Sequence, residues 1–345
     1  MSAHADSPAV EGARARRMTE WVFRVRELGI LGVLLALIVV TGILEPRFLE
    51  SASLRNLALN AAIFAILAAG QTLVLITRNV DLSVGSVLGL SAYFAGDLLS
   101  KHEGLPIVAV FVLGMALGAA CGLLNGVLVT WGRVPALVVT LGTLYIFRGI
   151  AFLWTDGQQV NAETLPDAFL NLGTDSILGV PILVIIALVV IVVTGQWLRD
   201  YRAGRELYAI GSNPDGARLA GVRSDRRVLV AFVLAGALAG LGGVLFTARF
   251  GTVDATAGVG YELTVVAAAV VGGVAIFGGT GSVYGAALGA LLLGTITSSL
   301  IVLRVEAFWQ QAAIGALLLL AITIDRLLAL RVDAALRRRS ARRAA

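Results

Sequence analysis

Residues 106–130 read Pro-Ile-Val-Ala-Val-Phe-Val-Leu-Gly-Met-Ala-Leu-Gly-Ala-Ala-Cys-Gly-Leu-Leu-Asn-Gly-Val-Leu-Val-Thr. The run carries no charged side chain, and roughly 20 apolar residues at 1.5 Å rise cross a hydrocarbon core about 30 Å thick. Gly114, Gly118, Gly122 and Gly126 recur at every fourth position and share one helical face. Lipid supplies no hydrophobic drive between helices, so membrane helices use such small-residue ridges to approach closely. Shorter ladders stand at Gly85/Gly89, Gly236/Gly240 and Gly281/Gly285/Gly289. The ridge reads first as packing within one bundle, and second as a seam between two copies.

Outward from this segment, nine further apolar runs follow the same logic: about 28–44, 57–77, 82–99, 134–154, 176–198, 228–248, 263–279, 283–303 and 308–327. The third and eighth runs in chain order, 82–99 and 263–279, are short and interrupted by Gly or polar residues. Composition agrees, with 58% hydrophobic and 14% charged residues, against about 25% charged in a typical soluble domain. The sequence therefore predicts an all-α, polytopic membrane bundle of about ten helices. It divides into a tail over 1–27, a membrane domain over 28–328 with its longest connection at 199–227, and a basic tail over 329–345. The first run, ending in Thr41-Gly42-Ile43-Leu44-Glu45-Pro46, has no small-residue cleavage site and does not read as a signal peptide.

A net charge of +5 can indicate nucleic-acid binding, but the basic residues are not spread as a binding patch. With ten crossings and the N-terminus inside, 21 of the 27 Lys and Arg fall on the inner side. Five fall outside, and Arg148 lies within a run. That bias is the positive-inside signature. It predicts both termini on the cytoplasmic side of the membrane and no nucleic-acid partner.

Several stretches carry candidate function. Asp81 in Arg78-Asn79-Val80-Asp81-Leu82-Ser83-Val84-Gly85-Ser86 suits a cap on the first turn of the third run, where free N–H groups and the helix dipole favour a carboxylate. Alternatively, this Gly/Ser-rich run is a discontinuous helix beside a solute pathway. Within 199–227, Asn213 fits an N-cap, Pro214 the first helical position, Asp215 the first turn and Gly221 the stop. A two-turn helix results, with Ala217 and Leu219 free to press into a partner or to form a local elbow. Segment 155–175 holds four acids and no Lys or Arg, and reads as a solvated outer loop or a receiving surface. Asn125, Thr140 and Arg148 stand at membrane depth, as interhelical bonds or as pathway contacts. Arg148, being charged, must be paired, hydrated or snorkelling there.

Absences narrow the class. The chain has one Lys, Lys101, and no Walker A loop. Mid-span acids, expected of a proton-coupled carrier, are missing. His4 and His102 lie outside the runs and Cys121 is the only cysteine, so no metal site, cofactor or catalytic group is expected. The reading is a transport bundle powered from elsewhere.

Four motifs resemble the permease subunits of bacterial ATP-binding-cassette importers for monosaccharides, the ribose/xylose/rhamnose and autoinducer-2 group. They are Thr77–Ser86 with Asp81, Ser83 and Gly85; Pro135–Thr143 followed by Arg148-Gly149; Ala209–Val222; and Gly260–Leu263 with Val271–Gly273 and Phe277–Ser282. The resemblance runs over about 48–327. It implies alternating access, a cytoplasmic ATPase, a second permease, and a periplasmic or lipoprotein sugar-binding protein. It also implies that Asn213–Gly221 is the coupling helix that docks on the ATPase. Departures stand at Arg78-Asn79 (Gly-Gly in ribose-type relatives), Thr264 (often Asp) and Ser298-Ser299 (often Asn-Asn). Arg78–Asp81 and Phe308-Trp309-Gln310 look more like rhamnose or autoinducer-2 permeases. Branched-chain amino-acid permeases of the same superfamily, a stand-alone secondary carrier, and a membrane-embedded structural partner with no pathway are the rival readings.

Overall fold

A computed structural model of the chain describes residues 29–323 except 103, 307, 314, 317, 318, 321 and 322. The two expected tails, 1–27 and 329–345, lie outside the described residues. Helix α1 covers Gly29–Leu44, α2 Ser51–Ile76, α3 Val84–Lys101, α4 Ile107–Thr130, α5 Ala136–Thr155 and α6 Asp167–Thr174. After a hairpin of β1 (Ser176–Ile177) and β2 (Val180–Pro181) come α7 Ile182–Asp200, α8 Arg202–Ser212, α9 Pro214–Leu219 and α10 Ser224–Phe250. Then follow α11 Tyr261–Val271 and α12 Val283–Val302, and the described residues from 308 to 323 are again helical. Every described proline stands at or just before the first residue of a helix (Pro46, Pro106, Pro135, Pro166, Pro214) or, as Pro181, immediately before α7. There its missing N–H costs nothing and its φ suits the chain's entry.

Among the described residues six helices are long and apolar enough to cross a membrane: α2, α4, α5, α7, α10 and α12. Helix α3 has 18 residues but is less apolar, because Ser86, Ser91, Asp97 and Ser100 interrupt it. The expected eighth crossing, 263–279, is helical only in part. Its helix α11 has 11 residues, about 16 Å at 1.5 Å per residue, and ends at Gly272-Gly273, where Gly273 adopts φ 103°. A side chain at Gly272 would overlap the Gly285 carbonyl of α12, so the glycine that stops α11 also lets the two helices close up.

Helices α2 and α10 form the centre. The apolar window of α2 is 89% buried, against 22% for α7, as expected when one helix is apolar all round and the other faces lipid. Helix α10 packs most extensively on α4, then on α3 and α2, while α12 lies on α2 and α11. The four-glycine ridge of α4 meets α10 of the same chain. Added Cβ atoms at Gly118 and Gly122 would strike the Gly236 and Phe232 carbonyls, and those at Gly236 and Gly240 would strike Gly118 and Gly114. The ridge is consumed inside the bundle, which removes the reading of a seam between copies.

Two connections are more structured than the sequence reading held. Segment 155–175 folds over the bundle: Val160 bridges Val253 in antiparallel register, α6 forms, and Leu165 and Phe169 are buried. Segment 199–227 is mostly helical and carries the site described next.

Candidate functional site

At one end of the bundle α7 passes into α8, whose Gly204, Leu207 and Gly211 repeat at i, i+3 and i+7 and are buried with Ile210. This periodicity is present in the sequence and was the signal for a helix there. Glu206 is buried between Arg202 (2.7 Å) and Arg227 of α10. Burial alone pushes its carboxyl up, but the hydrogen bonds and charges of Arg227 and Arg202 outweigh that effect and hold it below the ordinary value. The carboxylate thereby ties α8 to α10.

Asn213 then breaks the helix in extended backbone, and its side-chain oxygen accepts from the Gly216 N–H at 3.0 Å. Pro214 opens α9 and Asp215 lies in its first turn, as the residue types dictate. The far end closes with Gly221 at φ 79°. The Val222 N–H reaches the Ala217 carbonyl (3.0 Å) and the Gly221 N–H the Arg218 carbonyl (2.9 Å), a Schellman closure. Both ends of a helix only 6 residues long are thus capped, which isolated short helices require to hold their shape. The two apolar candidates separate: Ala217 is buried with Val74, Ile210, Val228 and Phe232, while Leu219 is 91% exposed. Ala217 therefore fastens α9 to its own bundle, and the free apolar contact is Leu219.

The stretch 77–86 meets the end of α8 through Arg78. Arg78 adopts φ 66° and sends its guanidinium to the carbonyls of Gly211 and Ser212 (2.9 Å for the latter), the last two residues of α8. Gly279 N–H donates to the Ile76 carbonyl at 2.8 Å, and Tyr208 Oη to the Gly281 carbonyl at 2.9 Å. Gly211 has no side chain because the Ile76 carbonyl occupies that space. Three motifs far apart in sequence thus meet where α2, α8 and the α11–α12 connection touch.

Asp81 departs from its expected role. Helix α3 begins at Val84, and Asp81 Oδ1 accepts from the Ser83 N–H (2.8 Å) and Ser83 Oγ (2.7 Å), closing a turn ahead of the helix instead of capping its first turn. The Gln71 amide, oriented by its hydrogen bonds, pairs with both the N–H and the carbonyl of Asp81. Gly85 lies against Gly258 and Glu262, with no room for a Cβ.

The three candidate pathway residues support this same framework. Asn125 Nδ2 donates to Ser83 Oγ at 2.8 Å, and Thr140 Oγ1 to the Val80 carbonyl at 3.2 Å. Arg148 reaches the carbonyls of Ala255 (2.8 Å) and Ala257 (2.6 Å), pinning the α10–α11 connection to α5. Its cation is met by backbone dipoles, which answers the cost of a charge at that depth.

Sequence reasoning did not single out a cavity of about 500 Å³ between α2, α11, α12 and the helical residues after 308. Thr264 and Ser298, two of the positions where the chain departs from ribose-type permeases, line it. Those departures, and Asn60 as a polar residue at membrane depth, are the signals the sequence carries for it.

A bundle of apolar, membrane-length helices with one short, doubly capped helix at its end is the architecture of a polytopic membrane protein. Residues 53–322 match the family described as branched-chain amino acid transport system / permease component, and the chain belongs to that family. The autoinducer 2 import system permease protein LsrC of Escherichia coli O157:H7 is 38% identical over 321 residues, 93% of this chain and 93% of its own. LsrC of Shigella flexneri is 37% identical over the same shares, and that of Salmonella choleraesuis (strain SC-B67) 38% over 89% of this chain and 88% of its own. No solved structure matches the chain. The permease resemblance carried by the four motifs holds.

Proposed function

We propose that the chain is the membrane subunit of an ATP-binding-cassette importer in the bacterial cytoplasmic membrane. It lies there with both termini inside and carries autoinducer-2 or a related sugar-like solute. The observation that carries this reading is α9: capped at both ends, fastened inward by Ala217 and presenting Leu219 outward. A cytoplasmic ATPase receives Leu219 and the exposed Arg218 in a groove. Closure of the ATPases draws α9, and Arg78 passes the displacement through the α8 carbonyls to the Asp81–Ser83 turn and α3. A second permease completes the transporter, and a binding protein delivers solute over segment 155–175. The LsrC relatives, similar over nearly the whole chain, support autoinducer-2 as the solute. The family description supports a branched-chain amino acid as the second reading.

Reconstitution with the ATPase and binding protein tests this. Leu219→Arg should abolish ATP-driven uptake while membrane insertion and thermal stability stay as in wild type. Ala217→Arg should fail earlier, by unfolding the α8–α9 elbow. Wild-type uptake by Leu219→Arg would sink the docking role, and uptake of leucine in place of autoinducer-2 would favour the second reading.

A further inference from the structure

Resting on the importer reading, we propose that the cavity between α2, α11 and α12 is the station that the solute occupies in transit. We further propose that it selects an uncharged, polyhydroxylated molecule. Its volume, about 500 Å³, lies within the roughly 300–1,000 Å³ of small-molecule sites. The cavity sits toward the end of the bundle away from α8 and α9, since Asn60 lies in the first half of α2 and Ser298 in the last turns of α12.

The lining sets the chemistry. Asn60, Thr297, Ser298 and Gln311 face the cavity, and among the described residues their side chains make no hydrogen bond within the chain. Serine and threonine within a helix commonly bond back to the carbonyl one turn earlier, as Thr295 does here to Leu291, so Thr297 and Ser298 stand out beside it. Polar groups left without partners become costly once water is displaced, and a ligand rich in hydroxyls supplies both donors and acceptors to them.

The lining also includes an aromatic pair: Tyr261 lies 4.6 Å from Phe64, ring centroid to centroid. Gly260, at φ 82°, begins α11 beside it with open space where a side chain would stand. An apolar wall with a few convergent polar groups is the usual makeup of a small-molecule site. No charged side chain is among the described lining residues. A zwitterionic amino acid would surrender the hydration of two charges here without a counter-charge, a severe penalty, whereas a neutral sugar-like molecule gives up only hydroxyl hydration that the lining replaces. The cavity thus separates the two solute readings on physical grounds.

The test uses proteoliposomes holding the permease, its ATPase and its binding protein, with labelled autoinducer-2, ribose, rhamnose and leucine as probes. Thr264→Trp and Ser298→Trp should fill the cavity and lower solute imported per ATP hydrolysed by about tenfold, while binding-protein-stimulated hydrolysis stays near wild type. Asn60→Ala and Ser298→Ala, which leave the space open, should lower the same ratio by about threefold to tenfold through a lost hydrogen bond. Wild-type ratios in all four variants would overturn the assignment. So would loss of assembly with the second permease in the Trp variants, which would make this face an interface between subunits. Import of leucine but no neutral probe would overturn the solute class. A wild-type complex that hydrolyses ATP yet imports nothing would sink the importer reading itself, and the station with it.

Discussion

Arg78 concentrates two opposed effects in one residue, so its substitutions separate backbone strain from side-chain bonding. Its φ of 66° places an L-residue in the left-handed region, at a cost of about 1 kcal/mol that glycine avoids. Its guanidinium meanwhile donates to the Gly211 and Ser212 carbonyls. Bonds from a charged donor are worth about 1.5–3 kcal/mol each when buried. Here one partner is exposed, so the pair together stabilises by about 2 kcal/mol after discounting for solvent. Arg78→Ala removes the bonds and keeps the strain, for a net loss of about 2 kcal/mol. Arg78→Gly removes both, for a net loss of about 1 kcal/mol. Glycine should therefore be the milder substitution, by roughly 2–4 °C in apparent melting temperature for a chain of this size.

Fluorescence-detected thermal unfolding of the detergent-solubilised protein measures the ranking. ATP-driven uptake should fall in both variants, because each loses the link between α8 and the Asp81–Ser83 turn. Equal melting temperatures for the two variants would refute the strain argument. Full uptake in Arg78→Gly would refute the transmission role while leaving the strain argument intact.

Gly118→Leu should destabilise the monomer by several kcal/mol, because its Cβ alone already overlaps the Gly236 carbonyl and overpacking costs about 1–3 kcal/mol or more. Gly142→Ala, with nothing within 4 Å of its Cβ position, should be neutral or stabilising by up to about 1 kcal/mol through helix propensity. Thermal melts of both variants decide this, and loss of subunit association without loss of stability in Gly118→Leu would return the ridge to an intersubunit role. The depressed carboxyl of Glu206 contributes stability that is fully present above its ordinary value of 4.5 and is lost as pH falls through its lower folded value. Stability of the α8–α10 junction should then be flat from neutral pH down to about 4.5 and decline below it. Glu206→Gln should lower stability at neutral pH and flatten the acid limb, and hydrogen exchange of α8 amides against pH measures both.

The membrane class of this chain follows from composition and run length alone, because burial in lipid asks of each span only that it be apolar and long enough. Helix punctuation was equally readable. Pro106, Pro135 and Pro214 open helices, Asn213 caps one and Gly221 ends it, since these residues act on their own backbone within a turn. What the neighbours do to a residue was not readable in this way. Ala217 and Leu219 look equivalent in sequence, yet one is buried and the other exposed, because the end of α8 that leads into α9 is held by Arg78 and Gly279, which lie far away along the chain. The ridge from Gly114 to Gly126 announces a close helix contact but cannot say with which helix, and only the packed bundle names α10. Asp81, Asn125 and Thr140 were legible as polar groups needing partners. That they partner one another's framework, and leave Asn60, Thr297, Ser298 and Gln311 to face a cavity, was decided by long-range geometry that no local spacing encodes.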